Sequence, residues 1–506
     1  MILPVVLFFT LCAYLIYFYR KSHNYWKNRG LEYVKPTIPF GNFSNFYSKK
    51  EGFGETFAKI YGEIKSRGVR HGGGYYFWNP LYIPTDPVII KDIFISSFEH
   101  FKNHGFYMVK EDPMTQHLFN LEDDKWRDVR AKLSHCFTSG KMRNMFNVMV
   151  EHTDVLKRVL KEELSDKSDV KIKKILVRYT TDVVSKCLMG VNTDTLINDK
   201  AEILWHGSEF FSKTWGYINN TIVLLIPRAI LQKLNFRITP KETEVFFKDL
   251  FKNIKSYREK NNDTRNDLFD SVLKLSDPNY TSNLNDFNGK KGMEPLNFDI
   301  TVAQCYGFFV AGFETSSTTI TFALYELAKN MDKQDLLRQD INDTLKKYNN
   351  ELTYDSVQNM EYLEMVLKET LRLYPAFPFI PRGCNKDYKV PGTDFVVKKG
   401  TGVILSGMGI QRDPEYWPNP EKFEPQRFSI QNRDKIVPYT YFPFGEGPRL
   451  CIAHRFGQLQ TKVGILTLIK DYKITINEAM KPLKFGSYGI VLAPRDDIWL
   501  NFERIN

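Results

Sequence analysis

Within the stretch Pro443-Phe-Gly-Glu-Gly-Pro-Arg-Leu-Cys-Ile-Ala-His-Arg-Phe456, two glycines, a proline and an arginine stand directly ahead of a single cysteine. Gly445 and Gly447 permit backbone angles that other residues avoid, and Ile452 to Leu468 (IAHRFGQLQTKVGILTL) has the spacing of an amphipathic helix. Cys451 is therefore expected on a tight loop just before a helix N-terminus, where the macrodipole favours a thiolate. Such a cysteine could be a nucleophile, a metal ligand or a small buried hydrophobe. The six cysteines (Cys12, Cys136, Cys187, Cys305, Cys384, Cys451) are scattered without C-x-x-C spacing, which argues against a disulfide framework and against zinc. One thiolate with Arg449 two residues away suits a large anionic cofactor better than a cage of protein ligands.

The other strong constraint lies at the start. Residues 1–19 (MILPVVLFFTLCAYLIYFY) are uncharged and almost wholly apolar, and as a helix they would extend about 28 Å, enough to cross a bilayer core. Arg20, Lys21, Lys27 and Arg29 follow, so the positive-inside rule places the bulk of the chain on the cytoplasmic side. A cleaved signal peptide is the rival, but there is no basic segment ahead of the apolar run and no small-x-small site after it. Residues 20–42, basic and carrying Pro36 and Pro39, read as a stiff hinge between a transmembrane anchor (1–19) and a single large body (43–506).

That body is mainly helical in pattern, with a smaller β-rich part: extended pieces near 72–90, 376–405 and 485–502. Ser276 to Glu294 has the Asn, Asp and Gly content of a surface loop, and a long helical run follows from Phe298 to Asn330. No repeat or low-complexity tract interrupts the chain. The net charge of +11 favours an anionic partner or membrane surface. Nucleic acid is not expected, because no basic helix or finger pattern concentrates that charge. His71-Gly-Gly-Gly74 looks like the oxyanion element of lipases, but no G-x-S-x-G elbow accompanies it, so a strand-edge turn is expected there.

Four further motifs carry chemistry. In Ala311-Gly312-Phe313-Glu314-Thr315 the small residues leave a bare helix face for something flat, with Glu314 and Thr315 beside it to relay protons; close helix packing is the plainer alternative. Glu369 and Arg372 stand three apart on a helix ended by Pro375, inside an apolar run that makes a buried pair plausible where a solvated one is usual. Arg427, in Pro425-Gln-Arg-Phe428, is a candidate third member. Trp126 and Arg130, at i and i+4, could clamp a carboxylate or phosphate, or simply form an amphipathic surface.

The conjunction and order of these motifs resemble the cytochrome P-450 haem-thiolate monooxygenases over essentially the whole chain: W-x-x-x-R (Trp126, Arg130), A-G-x-E-T (Ala311 to Thr315), E-x-x-R (Glu369, Arg372), P-x-R-F (Pro425 to Phe428) and F-x-x-G-x-R-x-C (Phe444, Gly447, Arg449, Cys451). The hinge and stretches such as Phe137 to Met142 and Asp387 to Gly392 look most like the microsomal insect enzymes of the xenobiotic-metabolising branch. The resemblance implies a P-450 fold behind the anchor and Cys451 as the proximal ligand of haem b iron. It implies that Trp126, Arg130, Arg382 and Arg449 hold the propionates, that Phe444, Gly447, Ala311 and Gly312 line the haem, and that Glu369, Arg372 and Arg427 form a structural triad. Glu314 and Thr315 would deliver protons to dioxygen.

It further implies NADPH electrons through a separate reductase, with cytochrome b5 as an accessory partner, at the cytoplasmic face of the endoplasmic reticulum membrane. The absence of a G-x-G-x-x-G fingerprint fits electrons arriving from a partner. A haem-thiolate isomerase or dehydratase, or a haem sensor or carrier, are the alternatives. An apolar substrate is expected against Phe106 to Phe119, Phe210 to Tyr217, Phe308, Ala311 and Ala376 to Phe379. Ala453 and Gln426 depart from the glycine and glutamate usual in the family.

Overall fold

The long apolar run starting at Phe298 forms a helix because Asn297 caps it, its side chain accepting from the Ile300 N–H at 2.9 Å, and no proline interrupts it for 32 residues. Being apolar on nearly all sides it lies inside the molecule. The computed structural model describes residues 2–165, 167–211, 215–265, 267–283, 292, 294–486 and 489–505, without the side chains of residues 2, 3, 7, 8, 11, 12, 215–217, 220 and 224. Six helices position the site: α1 (Ile2–His23), α2 (Asp123–Leu133), α3 (Ile172–Met189), α4 (Phe298–Lys329), α5 (Glu361–Leu373) and α6 (His454–Asp471). The main core packs α4 against α3 on one side and α6 on the other.

The β part is smaller and lies beside the helices. β1 (His71–Tyr76) and β2 (Asn79–Pro84) form an antiparallel hairpin. A second, three-stranded antiparallel sheet begins with β3 (Asp169–Lys171) and is completed by two strands from the C-terminal part of the chain. β4 (Ile380–Gly383) is followed by a short hairpin of β5 (Tyr388–Lys389) and β6 (Val396–Val397), and then by β7 (Gly402–Leu405). β7 pairs parallel to β2, Leu81 opposite Gly402, and antiparallel to β4, Ile380 opposite Leu405, which gives the order β1-β2-β7-β4. β8 (Tyr472–Ile476) and β9 (Trp499–Arg504) join β3 in the order β3-β9-β8.

The mainly helical reading with a smaller β part holds, and the differences are local. β8 has no sequence expectation behind it, because it continues from α6 without a break residue. Pro278–Ser282 inside the expected polar loop is a short helix capped by Asp277, while 284–291 and 293 lie outside the described residues. His71 to Gly74 is a fully buried strand and not an edge turn. At the N-terminus, α1 covers the expected anchor, of which Met1 and several side chains lie outside the described residues; among the described residues no helix is long and apolar enough to cross a membrane. Nor is 20–42 a free-standing hinge: Trp26, Leu31 and Val34 are buried against the sheet, since apolar side chains within a nominal linker gain more from a core than from water.

Candidate active site

Gly445 and Gly447 both adopt φ near +70°. At Gly447 the requirement is also steric, because a Cβ would collide with the Phe94 carbonyl. The turn they allow is closed by the Cys451 N–H donating to Phe444 O at 3.0 Å, and Cys451 sits three residues ahead of α6. Burial pushes the Cys451 thiol above its ordinary value, against the opposing pull of the Ala453 N–H and Arg130. Burial thus works against the helix terminus at this position, and a bound cation would favour the thiolate.

Three guanidinium groups lie within electrostatic reach of this loop. Arg449 is buried, donating to the carbonyls of Lys102 (2.8 Å) and Leu121 (2.7 Å). Arg382 is buried as well, and its Nε has no hydrogen-bond partner. Arg130 is half-buried and feels the Cys451 thiol. Among the described residues none of the three forms an ion pair with a carboxylate. Burial, with Arg382 and Arg130 as like charges nearby, draws Arg449 down to about 8, and burial draws Arg382 down to about 9. Both shifts express the cost of burying a cation outside an ion pair, and at Arg449 the Glu122 and Asp123 carboxylates offset it only in part. Trp126 and Arg130 share one face of α2 as expected, but the indole lies under Arg449, whose guanidinium carbon is 4.0 Å from the ring centroid.

On α4, Thr315 Oγ1 donates to Ala311 O at 2.7 Å, and Ala311 is solvent-accessible in the middle of an otherwise buried helix. α6 runs alongside, where a Cβ at Gly457 would lie 4.0 Å from Ser316 Oγ. Gly312 has a packing role as well. A Cβ there would come within 2.9 Å of Val184 Cγ2, so its bareness lets α3 and α4 approach. Glu314 also points toward α3, where its Oε1 pairs with Lys173 Nζ at 3.0 Å, and that ammonium is further bound by Ser317 Oγ (2.9 Å) and Thr318 Oγ1 (2.6 Å). Burial lowers the Lys173 pKa against the upward pull of Glu314. Lys173 lies 141 residues from Glu314, and no local pattern in the sequence could have paired them.

Glu369 and Arg372 on α5 are both fully buried and paired in bidentate fashion, Nε to Oε2 at 2.7 Å and Nη2 to Oε1 at 2.8 Å. Arg427 approaches Glu369 Oε1 at 3.4 Å and the Glu424 N–H donates to the same oxygen at 2.8 Å. The three triad residues are thus brought together. Gln411, which sequence reasoning missed, connects them to the cysteine loop. Its Nε2 donates to Leu371 O and Arg372 O, both at 3.0 Å, and its Oε1 accepts from the Phe442 N–H at 3.0 Å.

An aromatic wall stands where an apolar substrate was expected. Phe119, exposed despite its neighbours, has the rings of His104, Phe106 and Phe377 at 4.4, 5.2 and 5.7 Å. Of the stretch 210–217, Phe210 and Phe211 form an edge-to-face pair, and the side chains of 212–217 lie outside the described residues.

The arrangement fits a haem. Among the described residues no group of three His, Cys, Asp or Glu side chains could hold a metal ion, so iron at Cys451 must bring its other ligands with it. The partnerless Arg382 Nε and the unpaired cations match a cofactor carrying carboxylates, and the accessible Ala311 face matches a flat one. The family model for cytochrome P450 matches residues 58–501. The chain is 35% identical to the Drosophila melanogaster protein named probable cytochrome P450 6a23, and 34% identical to cytochrome P450 6a2 of the same species, over the full length of each. It is 34% identical to cytochrome P450 6k1 of Blattella germanica, over 99% of this chain and 97% of that one.

Proposed function

Because the chain belongs to the cytochrome P450 family, and is with it a haem-thiolate monooxygenase, we propose that it inserts one oxygen atom from O2 into apolar small molecules at a membrane surface. The substrates would be xenobiotics such as insecticides or plant toxins, or endogenous hormones or lipids. Electrons would come from NADPH through a separate reductase, with cytochrome b5 as a second donor. The observation that carries this reading is the gathering, around one cysteine loop, of three arginines that form no ion pair among the described residues, with α4 packed against the helix that follows the loop.

Cys451 Sγ would bind the iron, Arg382, Arg449, Arg130 and Trp126 would hold the cofactor's carboxylates, and Phe444, Gly447 and Ala311 would line it. Thiolate-bound haem supplies an iron centre that activates dioxygen, the sulfur's electron density favouring O–O cleavage. The chain supplies the protons. Thr315 Oγ1, now donating to Ala311 O, can turn to organise water, and Glu314, held by Lys173 Nζ at 3.0 Å, can place a carboxylate beside that water. Aromatic rings around Phe119 would give an apolar substrate a surface to pack on. The test is substrate-dependent NADPH consumption by haem-loaded protein with purified reductase. Turnover without NADPH would point to an isomerase or dehydratase, and bound haem without turnover to a sensor or carrier.

Thr315→Ala is expected to keep the haem spectrum and substrate binding but to release peroxide, because positioned acid assistance contributes roughly 10²–10⁴-fold in rate. Glu314→Gln should act in the same direction. Wild-type product per NADPH in Thr315→Ala would remove that residue from the proton relay.

Attachment to the cytoplasmic face of the endoplasmic reticulum is supported by the exposed apolar side chains Val5, Phe9, Leu15 and Ile16 of α1 and by Arg20 and Lys21 in its last turn. Of the glycosylation sequons at Asn42, Asn219, Asn262, Asn279 and Asn342, Asn219 is buried. Asn262, Asn279 and Asn342 are exposed and would be modified in a lumenal body. They should be bare in microsomal protein, and a glycosidase-sensitive mass shift would reverse the topology.

A further inference from the structure

We infer that residues 18–34 are a rigid splice tying the axis of α1 to the four-stranded sheet, so that the body meets a lipid surface in one orientation. The orienting role rests on the membrane attachment proposed above. A tether that swivels needs several residues free in φ and ψ, and a basic, proline-containing segment reads as one. The structure leaves no such residues at the junction. The Asn24 and Tyr25 amides donate to Lys21 O and Ser22 O at 3.3 and 3.1 Å, and Asn28 N–H donates to Asn24 O at 2.9 Å, so backbone hydrogen bonding carries on past the end of the helix.

On either side of those two residues the chain is fixed to the body. His23, 9% exposed, has its Nε2 2.8 Å from Phe77 O in the β1–β2 turn. Phe18 and Tyr19, one turn earlier, meet the Trp78 ring edge-on at 5.8 and 5.7 Å. Trp26 is completely buried, and its indole N–H donates to Gly74 O at 3.0 Å. The neighbouring Gly73 admits it, since a Cβ there would overlap the indole.

One hydroxyl ties both sides together: Tyr75 OH accepts from the Trp26 amide at 3.1 Å and donates to His23 O at 2.8 Å. Beyond Trp26 the chain pairs with β1, Gly73 N–H donating to Glu32 O (2.8 Å) and Val34 N–H to Gly73 O (2.9 Å). To turn α1 relative to the sheet, the indole would have to leave the core and these amides would have to lose their partners together. Such a unit opens with the sheet it joins and not as a loose terminus.

The experiment uses the full-length, haem-loaded chain in phosphatidylcholine nanodiscs and vesicles, with amide hydrogen exchange over 23–34, haem linear dichroism in oriented bilayers, and vesicle flotation. Residues 23–34 should exchange as slowly as β1, and the haem should show one narrow tilt. Tyr75→Phe, which removes only the bridging hydroxyl, should speed exchange at 23–31 roughly tenfold. His23→Ala combined with Trp78→Ala should broaden the tilt while the carbon monoxide spectrum stays that of the unaltered protein. Free exchange of 23–34 in the unaltered chain overturns the splice whether or not the chain floats, as does a broad tilt in a floating chain. Slow exchange in a chain that does not float overturns the orienting role through the membrane reading alone.

Discussion

Cys451→Ala is expected to abolish both the red-shifted Soret band of the reduced carbon monoxide complex and all monooxygenase turnover. The reason is that the sulfur is the one ligand the chain brings to the iron in this reading. His454, three residues on, has its Nδ1 3.0 Å from Cys451 O, and among the described residues no group of three His, Cys, Asp or Glu side chains could hold a metal ion in its place. Removing the thiolate also removes the donor whose electron density favours O–O cleavage. A spectrum of reduced, carbon monoxide-treated Cys451→Ala decides the matter, and retention of the thiolate band would mean that another residue is the ligand.

The second large effect is expected at the triad. Glu369→Ala leaves Arg372 fully buried without its carboxylate, and Arg372→Ala leaves the carboxylate buried with only Arg427 and one amide. Breaking such a pair costs roughly 3–5 kcal/mol, a large share of the ~5–15 kcal/mol that holds a domain together. Both variants should give little haem-loaded protein. Arg427→Ala should cost only about 1 kcal/mol, because its contact is longer and its side chain partly reaches solvent. Chemical denaturation of the three variants checks that order, and equal losses would show that Arg427 bears on Glu369 as much as Arg372 does.

What was legible in the sequence was what lies close along it. Glu369 and Arg372 are three residues apart, the loop before Cys451 is contiguous, and the run through Ala311 to Thr315 belongs to one helix. Such features survive as patterns because their geometry is fixed by local backbone. The residues that decide how these pieces work together come from far away in the chain. Lys173 reaches Glu314 from α3, and Gln411 joins α5 to Phe442. Gly312 needed Val184 to explain it, and nothing in Ala-Gly-x-Glu-Thr distinguishes a glycine that faces a cofactor from one that faces a neighbouring helix. The surroundings of Cys451 are hidden for a related reason: a helix terminus can be seen in a sequence, but the depth at which it will be buried cannot.

Gln411 also bears on chemical ageing. Its amide hydrogens point at two carbonyl oxygens and its own oxygen receives an amide hydrogen, so the hydrogen-bond direction is fixed at every contact. Deamidation would exchange the NH2 group for an oxygen, setting like dipoles against each other at Leu371 and Arg372 while scarcely changing shape. The support between the triad and the cysteine loop therefore depends on the identity of one buried heavy atom. A lesion too small to alter the packing would be enough to loosen it.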